Sequence, residues 1–550
     1  MIQNKMDFSM YINRIFAYFL TTIILAGCAG TDKSDTESID WFDAHDTMMT
    51  GAPTLMYGQL SDGYGTSESA TTDHDKSRTI AVLLPLSGPN APIGKTIRTS
   101  VQAAALKNAD ANLSVSFYDT ATDTGTAIST ALSTNPDIIV GPVFSDSAKA
   151  LISQKPSSLP VISFTSDATA LGDGVMTMNL MPTNGVETII RQMKSDGTTK
   201  FIILAPDTTS GHLLAGTAKN ASQIYELPLG GIIYYTPNDP ESIKSAGANA
   251  SMHNARKSAH TRTRQVLSDI LINERLTVIE KSSLNNQLDK LSKTETVGRV
   301  PYDAVLFLGN GDDTKSLASY LRYFDVPAKT ARFYGTTMWD GSDIASDLTM
   351  SGAKFATLPE TNPEFTTIYE QISGTQPDKL ASFGYDAANL AIGMLYSDKS
   401  TAAYLLDPSG YIGSNGLFRL QPTGASERAL RIVELNGTGT PTEIKPAATD
   451  FLAPLYNIEQ RHISPAAAMA LETPGIDPDD YIRIPERLRN KYRSKTIGTN
   501  ITVAPTIQKS EIVAILPDDD GTPLRSENYT PIKLESVSRS YIDEYEIYED

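Results

Sequence analysis

Short apolar runs recur between Arg78 and about Leu452: TIAVLLPL (79–86), LSVSFYD (113–119), DIIVGPV (137–143), PVISFT (160–165), KFIILAPD (200–207), GGIIYYTP (230–237), DAVLFLGN (303–310) and ARFYGTT (331–337). Most lack the in-out alternation of a half-exposed strand, which is the pattern of parallel strands covered on both faces. Helical stretches separate them, so consecutive strands are joined by right-handed βαβ crossovers. This many strands exceed one small sheet, and the pattern predicts an α/β fold of two doubly wound lobes.

Between Lys244 and Val300 the strand rhythm stops. Val266, Ile270, Leu271, Val278, Leu284, Leu288 and Leu291 recur at near-helical spacing among charged and amide residues, predicting one or two long amphipathic helices. The stretch reads as a surface insertion within a crossover or as an arm that binds a partner. Residues 28–77, rich in Ser, Thr, Asp and Gly, read as a flexible tether. The extension 453–550 reads as mostly disordered, with a short helix and packing segments expected before about Thr496 and an acidic finish after it.

The first strand runs into PLSGPNAPIGKT, which invites comparison with a phosphate-binding loop. That motif needs four residues between its glycines, whereas five, Pro89 to Ile93, separate Gly88 from Gly94. Pro89 and Pro92 also lack the N–H that a phosphate cradle uses. A nucleotide site is therefore not expected.

The 550 residues include 46 basic and 64 acidic side chains, a formal net charge of −18. Nucleic acid is not expected as a partner on that balance. Such a surface is repelled by anionic lipid, so membrane attachment is expected to be covalent or hydrophobic. The single cysteine supplies a covalent route. Lys5 and Arg14 precede an apolar stretch, IFAYFLTTIILAG, suited to a signal peptide over 1–27. It ends in Leu25-Ala26-Gly27-Cys28, which resembles the lipobox of bacterial lipoproteins. The resemblance implies lipid attachment at Cys28, and Ala29 after it implies the outer membrane, facing the periplasm. One cysteine also excludes a disulfide or a cysteine-based metal site.

Catalytic chemistry finds little support. The six histidines form no HExxH pair, there is no G-x-S-x-G elbow, and Gly309-Asn310-Gly311-Asp312-Asp313 lacks the spacing of a calcium loop. That acidic turn fits a helix cap better. His212, after LAPDTTSG, reads as an exposed loop residue or a ligand contact. No enzyme, cofactor or metal is expected.

The order of IAVLLPLSGPNAPIG, IIVGPVFS, LPVISFTSDA, FIILAPDTTSG, YDAVLFLGNGDD, ARFYGTTMWDG, LASFGYDAANLAIGML and YIGSNGLFRLQPTG resembles the type I periplasmic binding proteins of the leucine-binding class. More closely it resembles the outer-membrane lipoproteins that activate penicillin-binding proteins. The resemblance implies a domain over 78–452, with lobe one at about 78–196 and 360–408. Lobe two would take about 200–350 and 409–450 and carry the 244–300 insertion. It places ligand-cleft candidates at Ser87, at Ser145 in the loop from Gly141, and at Ser163 and Thr165. Asp207 and Ser210, and Thr337 and Asp340 in the loop from Gly335, complete the set. Two departures stand out: Asp207-Thr208-Thr209-Ser210-Gly211 lacks the aromatic of D-x-x-Y-G, and Thr337 and Met338 stand where amino-acid binders present a glutamate. A buried ammonium without a carboxylate partner costs several kcal/mol. The sequence thus leaves two functions: a non-enzymatic activator of a penicillin-binding protein in peptidoglycan synthesis, or the binding component of an ABC importer for branched-chain amino acids or similar small solutes.

Overall fold

The computed structural model describes residues 54–55, 78–108, 112–451, 465–471 and 482–496; the stretch 1–27, Cys28, most of the expected tether and everything from 497 lie outside the described residues. Strand β1 (Thr54–Leu55) precedes the first lobe, which is built from β2 (Arg78–Leu84), α1 (Ala91–Lys107), β3 (Leu113–Asp119), α2 (Thr124–Ser133), β4 (Ile138–Val140), α3 (Ser145–Ile152), β5 (Val161–Ser163) and β6 (Val175–Thr177). Its five strands are parallel, in the order β3-β2-β4-β5-β6. Ile80 to Leu84 of the second strand are almost wholly buried, as the continuous apolar run requires.

The second lobe follows: α4 (Pro182–Ser195), β7 (Phe201–Pro206), α5 (Thr209–Ile224), β8 (Leu229–Tyr235), α6 (Pro240–Ala250), α7 (His253–Asn273), α8 (Val278–Ser292), β9 (Ala304–Phe307), α9 (Gly311–Tyr323), β10 (Arg332–Gly335) and β11 (Lys354–Thr357). The chain then returns to the first lobe with α10 (Pro363–Ser373), α11 (Lys379–Leu395) and α12 (Thr401–Leu405). Helix α11 lies along α1, so closely that a Cβ on Gly384 would come 3.1 Å from that of Ser100. Strands β12 (Tyr411–Gly413), β13 (Gly416–Leu420), β14 (Ser426–Arg428), β15 (Arg431–Glu434) and β16 (Thr442–Lys445) and helix α13 (Glu486–Thr496) complete the order.

The second-lobe sheet runs β16-β15-β11-β10-β9-β7-β8, parallel from β11 to β8, with β15 and β16 antiparallel at one edge. A third, four-stranded sheet runs β1-β12-β13-β14. The segment 409–450, expected in lobe two, therefore divides: β12 to β14 form the small sheet, and only β15 and β16 join the larger one. Helix α4 lies within the span expected for lobe one, yet it packs on β10, β11 and α5. Its buried stripe of Val186, Ile189, Ile190 and Met193 at helical spacing draws it there. Thr54 and Leu55, inside the expected tether, pair in parallel with Tyr411 and Ile412 and so cover an edge of the small sheet.

The segment 244–300 is helical. After α6, which packs on β8, helices α7 and α8 form a hairpin whose core is shared with Ile482, Ile484, Leu488 and Tyr492. A capping box at Thr277 and Glu280 starts α8. Part of the C-terminal extension is thus built into the fold. Residues 465–471 also dock there, with Met469 and Ile232 exchanging backbone hydrogen bonds of 2.9 and 3.0 Å at the open edge of β8.

Candidate functional site

The loop that invited comparison with a phosphate cradle is shaped by packing. Helix α1 begins at Ala91, and a Cβ on Gly94 would lie 2.1 Å from the Pro85 carbonyl oxygen, so only glycine lets the helix cross the strand end so closely. Ser87 is exposed at the rim, 3.4 Å from the Thr122 hydroxyl. Desolvation opposes ionisation of Asp119, but hydrogen bonds from Ser87 and from the N–H groups of Ala121 and Leu86 outweigh it and hold the carboxyl below its ordinary range.

Ser145, Ser163 and Thr165 come together around Asp167. The Ser163 hydroxyl donates to the Pro142 carbonyl at 2.9 Å and accepts from the Thr165 N–H at 3.1 Å. Thr165 Oγ1 accepts from the Asp167 N–H at 3.1 Å. Ser145 Oγ donates to the Asp167 carboxylate, and Lys149 Nζ lies 2.9 Å from it. Desolvation pushes Asp167 up, but the bonds from Ser145, Thr169 and Lys149 win and lower its pKa to about 2. Ser163 and Thr165 are fully buried, so their hydroxyls serve the strand-end loop.

In the second lobe, Thr208 caps α5 through the Gly211 N–H at 3.1 Å and meets Ser210 Oγ at 3.2 Å. Asp207 Oδ1 lies 2.8 Å from His212 Nε2. The other ring nitrogen of His212 is 2.9 Å from the Ala466 carbonyl, and the ring stacks on Tyr234 at 4.0 Å. The hydroxyl of Tyr234 donates to the same carbonyl at 2.7 Å. His212 is therefore a clamp for the C-terminal segment, a role invisible in sequence because its partner is 254 residues away.

Thr337 and Asp340 share one turn, anchored by the buried Trp339, whose indole occupies the space a Cβ on Gly335 would need. The Asp340 carboxylate accepts from Thr357 Oγ1 at 2.7 Å and pairs with Lys379 Nζ at 2.6 Å. Thr357 ends β11, and Lys379 opens α11 on the first lobe, so the pair ties the lobes together. Gly185 of α4 closes the other side, its missing Cβ 3.2 Å from the Thr337 nitrogen. Thr336 is buried and Asp340 partly so, and the Asp340 carboxylate is already neutralised. The candidates thus form separate groups on the two lobes, joined by the Asp340–Lys379 contact.

A groove of about 220 Å³ lies away from all of these residues, between α4 and the small sheet, lined among others by Asn184, Glu187, Arg191, Arg419, Glu427 and Lys445. Arg419 is neutralised by Glu427 at 2.8 Å. Among the described residues no group of three His, Cys, Asp or Glu side chains is placed to hold a metal ion, and no helix is long and apolar enough to cross a membrane. Asn310, with its side chain 2.9 Å from the Asp313 N–H, caps α9, which accounts for the acidic turn.

Two doubly wound sheets and a return helix after the second sheet form one recognisable plan, and a family model described as periplasmic binding protein matches residues 77–401. The chain belongs to the periplasmic binding protein family. It is of type I and the leucine-binding class. No curated protein sequence matches this binding protein. Among solved structures it is similar to the C-domain of LpoA (YraM) from Haemophilus influenzae, a regulator of PBP1A, at 16% identity, covering 66% of this chain and 99% of that one, TM-score 0.45. It is also similar to a putative branched-chain amino acid ABC transporter protein from Rhodospirillum rubrum, at 16% identity, 67% and 100% coverage and TM-score 0.49. The leucine-binding protein LivK from Thermotoga maritima aligns at 15% identity, 67% and 98% coverage and TM-score 0.39.

Proposed function

We propose that this binding protein is a non-enzymatic, periplasm-facing regulator that stimulates a penicillin-binding protein by direct contact, and that its cleft does not serve amino-acid capture. The observation that carries the reading is the state of Asp340. It lies in the same loop as Thr337 and Met338, where the family resemblance places the ammonium-binding glutamate of amino-acid binders, and it is occupied by Lys379 Nζ at 2.6 Å and Thr357 Oγ1 at 2.7 Å. Ser145, Ser163 and Thr165 are similarly engaged within the first lobe. A zwitterion entering here breaks these bonds before making its own, and leaves a buried ammonium to displace a lysine from its partner.

In this reading the chain is anchored in the outer membrane through lipid on Cys28. The PBP1A regulator among its structural neighbours names the partner class to test and adds no weight of its own. Purified protein should be crosslinked to, and recovered with, a penicillin-binding protein from its own source. Failure to associate with any such synthase overturns the proposal. The importer reading instead requires that branched-chain amino acids raise the melting temperature by mass action.

A further inference from the structure

The charge of this chain is segregated. Residues 253–299 hold nine Lys/Arg against five Asp/Glu, and residues 482–496 hold six against one, a net +9 within a chain of net −18. The fold gathers these stretches into one three-helix unit around Val266, Leu267, Ile270, Leu284, Leu488 and Tyr492. Several acids of the unit are consumed inside it: Glu274 by Lys491 at 2.5 Å, Glu280 by Arg487 at 3.0 Å and Asp289 by Lys293 at 2.7 Å. Lys257, Arg264, Arg275 and Lys281 remain exposed and form no salt bridge among the described residues, since the neighbouring Glu274 and Glu280 are held by Lys491 and Arg487.

The unit is rooted where Arg256 donates to the carbonyls of Gly298 and Phe324, at 3.2 and 3.0 Å. From there α7 runs for 21 residues, about 30 Å at 1.5 Å per residue. At its far end Ile272 in the last turn of α7 and Val278 and Ile279 in the first turn of α8 are 77%, 86% and 82% exposed. Arg275 lies between them in sequence and Lys281 just beyond. The result is an aliphatic tip with a cationic rim.

We propose that this tip docks on an anionic phospholipid surface, the three aliphatic side chains entering the headgroup region and the rim meeting lipid phosphates. Three side chains at one helix–helix connection fall well short of the roughly 1,200–2,000 Å² of a stable protein interface. A lipid surface needs only modest apolar burial together with electrostatic attraction to its headgroups. The −18 of the whole chain does not oppose this contact, because about 30 Å of helix separates the tip from its root and charge is screened over about 8 Å at physiological salt. The inference is independent of any reading of the cleft or of a synthase partner.

The test uses the full-length chain carrying Asn273→Cys, labelled with an environment-sensitive fluorophore and reconstituted in vesicles. The unsubstituted chain, treated alike, gives the background from Cys28. Any lipid anchor holds the protein equally in all vesicles, so the probe reports the tip alone. In vesicles of equal phosphatidylcholine and phosphatidylglycerol its emission should shift to the blue and rise severalfold over phosphatidylcholine alone. The gain should be lost on raising salt, and lost with Ile279→Asp or Arg275→Glu. Both sites are exposed, and circular dichroism and an unchanged melting curve show that the variants fold. Equal emission in the two lipids overturns the proposal. A shift with soluble polyglutamate but not with anionic vesicles overturns it in favour of an acidic protein partner.

Discussion

Asp386 of α11 and Arg428 of β14 form an ion pair at 3.3 Å with side-chain exposures of 0% and 1%. Arg428 also donates to the Met178 carbonyl at 3.0 Å and stacks over Phe383 and Phe418, while Asp386 accepts from the Ser414 N–H at 2.6 Å. One pair thus joins the return helix, the small sheet and the segment that leaves β6 for the second lobe. Removing one charge strands the other without water. Asp386→Ala should cost about 3–5 kcal/mol in urea unfolding. The double change Asp386→Leu with Arg428→Met should recover much of that loss, because a well-packed apolar pair avoids the desolvation of both ions.

Gly94 offers a contrast between local propensity and tertiary packing. In an open helix, Gly→Ala stabilises by about 1 kcal/mol. Here the added Cβ would meet the Pro85 carbonyl oxygen at 2.1 Å, and Gly94→Ala should instead destabilise by about 1–3 kcal/mol as the helix shifts. A raised denaturation midpoint would contradict this packing account.

Asp167 makes stability depend on acid. Its pKa is lowered from 3.8 to about 2 in the folded chain, so the stabilisation it contributes is present above the unfolded value and lost as pH falls through the folded one. Asp167→Asn should therefore flatten the stability profile between about pH 4 and pH 2 and leave its slope near neutrality unchanged. Chemical denaturation of both proteins across that interval gives the comparison. Parallel curves would mean that the Ser145 and Lys149 contacts do not favour the carboxylate.

The proposed anchoring at Cys28 makes its own prediction. With Cys28→Ala, extraction in high salt should release the protein from membranes, since charge contacts at the helical tip are screened by salt and no acyl chain remains to resist it. Retention under those conditions would contradict anchoring at Cys28.

The eight apolar runs read along the sequence are all strands; the central ones are apolar throughout because a parallel strand buried on both faces must be, while LSVSFYD is a half-buried edge strand. What escaped were short or antiparallel strands such as Lys354–Thr357 and Thr442–Lys445, whose partners, not their composition, make them strands. The helical hairpin was legible from the spacing of Val266, Ile270, Leu284 and Leu291. A short helix before Thr496 was expected too, but not its place against the hairpin, since Ile482, Ile484, Leu488 and Tyr492 come from a stretch dominated by arginine and lysine. At the cleft, sequence marked which loops end strands. It gave no sign that Lys379 would reach Asp340 or that His212 would meet Ala466, because such pairings depend on how distant segments return. The net charge concealed a basic unit inside an acidic chain.

The central claim is that this binding protein acts on a synthase rather than on a solute, and glycan-strand polymerisation by a purified penicillin-binding protein from the same source tests it most directly. Adding the full-length protein should raise the polymerisation or crosslinking rate, with or without branched-chain amino acids at millimolar concentration. An unchanged rate with every such synthase, together with a melting temperature raised by those amino acids, would contradict the account.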